Sequence, residues 1–486
     1  MTLRRHALLP GMLMIGLLLS LPALATEAPP RHVLSIVQVQ EATEDAKQDP
    51  LRYAVPQATD LRLSDGIWDQ PAASQARWRL GIDSNGAESL SLRLEDLHLP
   101  AGSELRWIGE DSGDIQGPFG ADSSGTLWLP LVRGSHALLE LRLPAAEKGH
   151  ASLRIAEAQH GYRAFNMPGT AKGYFNKQGS GACNIDVACT TANPWLSQVR
   201  SVVLLTIGNS AVCTGTLVDN VRRDGTPYVL TANHCRFDQQ SSPSSIRAYF
   251  NVNRSGCGSG TEGSVGQNLA VAEVVSRSTT SDFALLRLLS SENGNSASDF
   301  NPYFAGWDAS GTAPSSGAAI HHPSGDDKKI SIYSSSPQKQ ADMEICDRSK
   351  NCFTVDAWKV SWNKGTTEAG SSGAALWNQD GQIVGTLSGG SARCDGDKPN
   401  TGSDYFGRLD LSWTGGDAKA LGNSLKSALD PDNTGTISLV GRGGTNPAPS
   451  TVDPFTDTSG GGSGGGALPI FLLAALVGLG LLQRRR

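Results

Sequence analysis

Thr366-Thr367-Glu368-Ala369-Gly370-Ser371-Ser372-Gly373-Ala374-Ala375 is the stretch around which the chain is organised. A serine within Gly-Ser-Ser-Gly, followed by small apolar residues, is the pattern of a serine nucleophile on a tight turn. The glycines have no Cβ, so the backbone can bend sharply and a substrate can come close. The N–H groups of Gly370 and Ser372 would then point at one spot and hold a developing oxyanion. Gly/Ser runs are also ordinary loops, so this reading depends on partners elsewhere in the sequence.

Two further stretches supply them. In Tyr228-Val229-Leu230-Thr231-Ala232-Asn233-His234-Cys235 a strand runs into a turn that carries His234 and that Cys235 can pin by a disulfide. A histidine titrating near neutrality is the natural base for a serine proton. In Thr279-Thr280-Ser281-Asp282-Phe283-Ala284-Leu285-Leu286 an aspartate precedes an apolar strand. Buried beside His234, it would fix the ring's tautomer by accepting Nδ1–H. Taken singly, the histidine reads as a core or surface residue and the aspartate as a turn residue. The order His234, Asp282, Ser372 separates the readings, because it is the chymotrypsin order and neither the subtilisin nor the α/β-hydrolase order. The three stretches together predict a serine protease triad.

At 486 residues the chain has room for two or three domains. Its formal net charge of −6 gives no reason to expect nucleic acid or another polyanion as partner. Its 56 glycines and abundant serine favour turn-rich β architecture over helical bundles. Residues 1–25 read as a secretory signal peptide: Arg4 and Arg5, an apolar run from Ala7 to Leu21, then Ala23-Leu24-Ala25 as cleavage site. Export places the eight cysteines, 183, 189, 213, 235, 257, 346, 352 and 394, in an oxidising compartment. An even number confined to one segment suggests four disulfides in one domain. Zinc would want paired Cys-x-x-Cys spacings, which the sequence lacks, and neither a metal nor a cofactor is expected.

Residues 26–178 form a cysteine-free, β-rich segment with alternating runs at Ala76–Leu80, Ser89–Leu94, Glu104–Ile108 and Ala137–Leu143. Turn residues separate the runs, which suggests a small β-sandwich. Gly169–Gly181 has the composition of an exposed, cleavable joint. Residues 179–441 hold many short strands, among them Val202–Ile207, Thr226–Thr231, Ile246–Val252, Ala284–Leu289, Gly381–Leu387 and Asp404–Asp410. A C-terminal helix is expected from Ala418 through Leu429, stopped by Asp430-Pro431. Residues 442–466 read as a Gly/Ser/Pro-rich linker. Residues 467–486 are a hydrophobic segment, uncharged from Ala467 to Leu482 and ending in Arg484-Arg485-Arg486. That segment is a membrane-anchor candidate, with the arginines on the cytoplasmic side.

The segment from Cys183 to about Gly441 resembles the lysyl endopeptidases, secreted bacterial members of the trypsin-like serine protease family. The resemblance rests on Cys183-Asn184-Ile185-Asp186-Val187, Cys213-Thr214-Gly215-Thr216-Leu217-Val218, Thr231–Cys235 and Ser281-Asp282-Phe283. It continues through Ala305-Gly306-Trp307-Asp308, Ile320-His321-His322-Pro323-Ser324-Gly325-Asp326, Thr367–Gly373 and Ser403-Asp404-Tyr405-Phe406-Gly407-Arg408. It implies an all-β double barrel with His234 on the first barrel, Ser372 on the second and the site between them. It also implies the disulfides Cys183–Cys394, Cys189–Cys257 and Cys213–Cys235. Cys346 and Cys352 are left over, close enough to close a small loop of their own.

The activity implied is a secreted serine endopeptidase that cuts polypeptides after lysine. In trypsin the acidic residue of the specificity pocket lies six positions before the serine, where this chain has Thr366. The lysyl endopeptidases carry it later, in a Ser-Asp-x-x-Gly-Arg strand, and Asp404 falls on that position. A buried carboxylate there would pair with a P1 ammonium. Ser388 and Gly389 belong to the strand lining the same pocket, and Ser388 stands where the family has a His paired with a Trp. The Cys346–Cys352 region takes the place of the loop that would carry that Trp. A broader basic specificity, and an inactive protease-fold surface protein, are the competing readings. The second of these needs a broken triad, and all three residues are present.

Ser371 stands where animal trypsin-like enzymes have the Asp that locks a new N-terminus. Latency is therefore expected from residues 26–178, a pro-segment that partners the enzyme, with cleavage near Lys177. The tail resembles the glycine-rich, hydrophobic, arginine-ended sorting signals that a rhomboid-type protease removes in some Gram-negative bacteria, which implies a secreted or cell-surface location. His321 and His322 are read as structural.

Overall fold

A computed structural model describes residues 27–35, 38–41, 49, 51–123, 125–163, 180–237, 240, 242–346, 352–415 and 424–443. The expected signal peptide, the joint around Lys177, residues 418–423 of the expected C-terminal helix, the linker from residue 444 and the hydrophobic tail lie outside these residues. Among the described residues no helix is long and apolar enough to cross a membrane.

Six strands close into an antiparallel barrel. They are β1 Val202–Ile207, β2 Ala211–Val218, β3 Tyr228–Thr231, β4 Ile246–Tyr249, β5 Asn268–Ser278 and β6 Phe283–Leu288. The ring runs β1-β2-β3-β6-β5-β4 and returns to β1, with Leu204 opposite Tyr249 at the closure. Successive side chains leave a strand on opposite faces, and here the two faces feed different cores. Val203, Leu205 and Ile207 of β1 fill the barrel, while Leu204 packs with Tyr53 and Leu131 of the N-terminal region. On β3 and β6, Leu230, Phe283 and Leu285 join Trp307, Ile320 and Trp377 of the C-terminal half. Each such side chain, once buried, contributes about 1.5–3 kcal/mol. That is why these strands read as nearly continuous apolar runs.

The C-terminal half is a ten-stranded sheet built on β7 Gly317–His321, β8 Lys329–Tyr333, β9 Gln338–Cys346, β10 Cys352–Val360, β11 Ala375–Asn378, β12 Gln382–Gly390 and β13 Asp404–Arg408. Its path is Ile185–Asp186, then β8-β7-β11-β12-β13-β10-β9, with Gly306–Asp308 off the path beside β12 and Ser438–Leu439 paired in turn with Gly306–Asp308. Of the two barrels implied by the resemblance, one closes in its strand pairing. The other half pairs as this open-ended sheet. Leu409 and Asp410, expected as strand, open a helix at Leu409–Thr414. The expected C-terminal helix is seen as Leu425–Leu429, its Ser424 hydroxyl capping the N–H of Ser427. Arg442 and Gly443, expected in the linker, pair instead with Tyr303–Phe304, and Arg442 reaches the buried carboxylate of Asp219. An ion pair and a ladder hold them to the body.

All four disulfides match the expected partners: Cys183–Cys394, Cys189–Cys257, Cys213–Cys235 and Cys346–Cys352.

The N-terminal region consists of a six-stranded and a five-stranded sheet. One apolar core joins them, with Trp78, Trp107, Leu139 and Leu141 from the first sheet and Leu92, Leu94 and Ile155 from the second. The expected runs all fall inside strands, Gln75–Asp83, Ser89–His98, Glu104–Gly109 and His136–Pro144. This sandwich packs on the outside of the barrel. The Tyr249 hydroxyl meets the Leu131 N–H, Arg247 donates to Trp128 O, and Arg52 bridges to Ala211.

Candidate active site

His234 sits in a short turn after β3, and Arg236 at the end of that turn takes a left-handed conformation. The Cys213–Cys235 disulfide ties the turn to β2. Asp282, immediately before β6, also has positive φ, at 51°, a conformation that Asp tolerates better than most residues. Its carboxylate grips His234 twice: Oδ1 accepts the backbone N–H at 2.8 Å and Oδ2 accepts Nδ1–H at 2.8 Å. With Nδ1 donating, Nε2 of the neutral ring carries the lone pair. Phe353 of β10 stacks on the imidazole, with ring centroids 5.3 Å apart and planes 18° from parallel.

Ser372 lies on the turn between Gly370 and Gly373, both at positive φ (93° and 83°). A Cβ on Gly373 would come within 2.2 Å of the Thr231 hydroxyl and 2.5 Å of Thr214 O, so only glycine fits against the barrel there. The backbone N–H groups of the turn divide sharply. Ser371, Gly373 and Ala374 donate to Glu368, Leu387 and Ser371 carbonyls. Gly370 and Ser372 have no backbone acceptor among the described residues. These are the two donors that the sequence assigns to an oxyanion. The turn is fastened to the barrel by Thr214, whose N–H meets Ser372 O and whose hydroxyl donates to Gly370 O.

His234, Ser372 and Asp404 line one cleft of about 470 Å³ between the barrel and the sheet. Ser388 and Gly389 line it too, as expected. Thr366 does not, and this corrects the expectation. Its side chain is fully buried and its carbonyl accepts from Ser331, while the next residue, Thr367, faces the cleft. One step along an extended segment reverses the side chain's direction.

Asp404, 1% exposed, accepts at Oδ2 from the Trp362 indole N–H at 2.6 Å and the Thr367 hydroxyl at 2.7 Å. Among the described residues no cationic side chain pairs with it. Burial pushes its pKa up to about 6, against the pull of those two donors and of the Ala392 N–H. It is a carboxylate held by neutral groups and lacking a counter-charge.

Glu368 clasps the Ser372 turn to the first residues after the joint. Its Oε1 accepts from Gly181 N–H and the Asn184 amide, and its Oε2 from the Ser324 hydroxyl. Ser180 donates twice to Asp326 beside it. From the other side Leu51 of the N-terminal region reaches the cleft, and Asp49 pairs with Arg236 at 2.6 Å. The sequence reading missed Phe353, Trp362, Thr367 and Glu368. No spacing rule brings them to residues 119, 42, 37 and 187 positions away. One cluster of metal-ligand type occurs among the described residues, Glu344, Cys346 and Cys352, and both of its sulfurs are in a disulfide.

Residues 177–407 match the family model described as lysyl endopeptidase, C-terminal domain. The lysyl endopeptidase of Pseudomonas aeruginosa (strain PAO1) is 28% identical over 380 residues, covering 73% of this chain and 77% of that protein. Similar solved structures include the Rv3671c protease from M. tuberculosis in its active form, at 15% identity and a TM-score of 0.31, covering 47% of this chain and 85% of that one. A thermostable serine protease, AL20, from an extremophilic microorganism has 15% identity and a TM-score of 0.29, covering 44% and 92%. Likeness at that level carries no weight here, and the fold rests on the strand pairing.

Proposed function

The chain is a lysyl endopeptidase-like protein, and from that premise we propose that it is a serine endopeptidase cutting polypeptides on the carboxyl side of lysine. Ser372 Oγ attacks the scissile carbonyl as His234 Nε2 takes its proton, with Asp282 holding the ring and stabilising the imidazolium. The negative oxygen of the tetrahedral intermediate is held by the N–H groups of Gly370 and Ser372. His234 then returns the proton to the leaving amine, and water hydrolyses the acyl-enzyme by the same route.

Asp404 carries the specificity. It lies in the same cleft as Ser372, buried, bonded only to neutral donors and without a counter-ion among the described residues. A lysine ammonium entering the cleft would complete it. Oδ2 already accepts two hydrogen bonds. With the Ala392 N–H as a third donor to the carboxylate, a compact ammonium that needs one acceptor site suits it better than a planar guanidinium that binds both oxygens. Arginine at P1 is the second reading, since the charge alone would attract either cation.

Residues 26–178 fit the role of a pro-segment that covers the site, because Leu51 and Asp49 reach the cleft and the turn of His234. We place its removal near Lys177, in the protease domain's own recognition sequence. Four disulfides suit an exported enzyme. Residues 1–25 would direct that export, and residues 467–486 would serve as a sorting segment for a rhomboid-type protease. Mass-spectrometric mapping of cuts in a protein mixture, by wild type and Ser372→Ala, tests the assignment. Cuts after lysine by wild type alone are expected. Equal cutting after arginine would replace the lysine reading, and no cutting would remove the enzymatic one.

A further inference from the structure

His321 is fully buried beneath the catalytic turn, and its two ring nitrogens each meet one hydroxyl. Nδ1 is 2.8 Å from Ser371 Oγ and Nε2 is 3.0 Å from Ser331 Oγ. The protons in this chain can be placed by elimination. The Ser331 hydroxyl gives its one proton to Thr366 O at 2.7 Å, so towards His321 it accepts, and Nε2 must carry a hydrogen. Burial, with Lys329 nearby, lowers the ring's pKa to about 3, so the ring is neutral and Nδ1 holds a lone pair. The Ser371 hydroxyl therefore donates to Nδ1, and its oxygen accepts the Glu368 N–H at 3.1 Å. One directed chain runs from the Glu368 N–H through Ser371, His321 and Ser331 to the Thr366 carbonyl. It ties three points of the catalytic turn to β7 and β8.

Ser371 lies between the two residues whose N–H groups are left without a backbone acceptor. We propose that His321 and Ser371 are positioning residues, which hold the turn in the conformation that presents the Gly370 and Ser372 N–H groups to the oxyanion. The proposal rests on the serine endopeptidase reading and deepens it. Every link in the chain is uncharged.

Enzyme prepared from the full-length chain is assayed on a lysine peptide as wild type, Ser371→Ala, His321→Leu and His321→Asn. Losing alignment of an oxyanion donor costs about 10²-fold in kcat. Ser371→Ala and His321→Leu should therefore lose on the order of 10²-fold in kcat, with KM changed less than about threefold. His321→Asn, whose Oδ1 can replace Nδ1 as acceptor, should recover about tenfold of that loss. Nitrogen NMR of wild type should show His321 as the neutral Nε2–H tautomer at pH 7. A kcat within about twofold of wild type in Ser371→Ala, or a charged or Nδ1–H ring at His321, overturns the proposal. Should His321→Leu fail to fold, Ser371→Ala and the NMR tautomer decide it. Wild type that cuts nothing defeats the endopeptidase reading itself. Active wild type with an unaffected Ser371→Ala defeats only the positioning role.

Discussion

Asp282, before a barrel strand, and Asp404, on the sheet, are equally hidden, each 1% exposed. Their surroundings differ in one respect. Asp282 directs both oxygens at one residue, the backbone and ring of His234. Asp404 meets an indole N–H, a hydroxyl and the Ala392 N–H, none of which can become a cation. Burying a carboxylate costs several kcal/mol unless a charge or enough hydrogen bonds offset it. On the barrel side both donors belong to one residue, which becomes a cation when it takes a proton. On the sheet side burial outweighs three neutral donors, and the pKa of Asp404 is raised. Under the proposed function the pair contrasts a catalytic carboxylate, whose cation is a residue of the chain, with a recognising one, whose cation would come with the substrate.

The largest effect that can sharpen this contrast is on the barrel side. Asp282→Asn should lower kcat by about 10⁴-fold for every peptide, whatever its P1 residue, because the wrong tautomer of His234 would be favoured. Steady-state kinetics on lysine and norleucine peptides check this, and a loss confined to lysine would contradict it.

The second test is pH. Binding a lysine requires Asp404 ionised, so kcat/KM for a lysine peptide should carry an acid limb near pH 6 that falls about tenfold per unit below it. Asp404→Asn should lack that component. The same shift has an opposite sign for stability. The folded carboxyl, at about 6, binds its proton more tightly than the unfolded one at 3.8. Ionisation between those values therefore destabilises the ligand-free protein by roughly 3 kcal/mol. Thermal midpoints should decline across that window in wild type and stay flatter in Asp404→Asn.

Smaller effects come from the neighbours. Trp362→Phe removes a donor to the Asp404 carboxylate, a bond of the kind worth about 1.5–3 kcal/mol. It should move the acid limb upward and cut kcat/KM for lysine about tenfold at pH 7. Phe353→Ala removes the ring stacked on His234, a contact worth about 0.5–1.5 kcal/mol. A fall of about two- to tenfold in kcat is expected, equal for lysine and norleucine peptides.

How much of this was legible beforehand follows the range of the interactions. His234, Asp282 and Ser372 announce themselves because each sits in a short local pattern, and their order along the chain adds a global constraint. The barrel strands were visible as apolar runs. The sequence missed what depends on two distant segments meeting. Trp362 follows a strand with nothing to mark its indole as inward-facing, and Phe353 next to Cys352 reads as any hairpin residue. Thr366 is singled out by counting from the serine as in trypsin, and such a count carries no information on which face of an extended segment points to the cleft. Arg442 looked like linker by composition, while its partner Asp219 lies 223 residues earlier.

Under the proposed function, Asp404 awaits a cation from the substrate. The measurement that tests it most directly is kcat/KM for matched peptides with lysine and norleucine at P1, in wild type and Asp404→Asn. Breaking a buried pair costs about 3–5 kcal/mol, so the lysine peptide should lose about 10²–10⁴-fold in the variant. The norleucine peptide should stay within a few-fold of wild type or improve. Equal losses on both peptides, or none on lysine, would contradict the account.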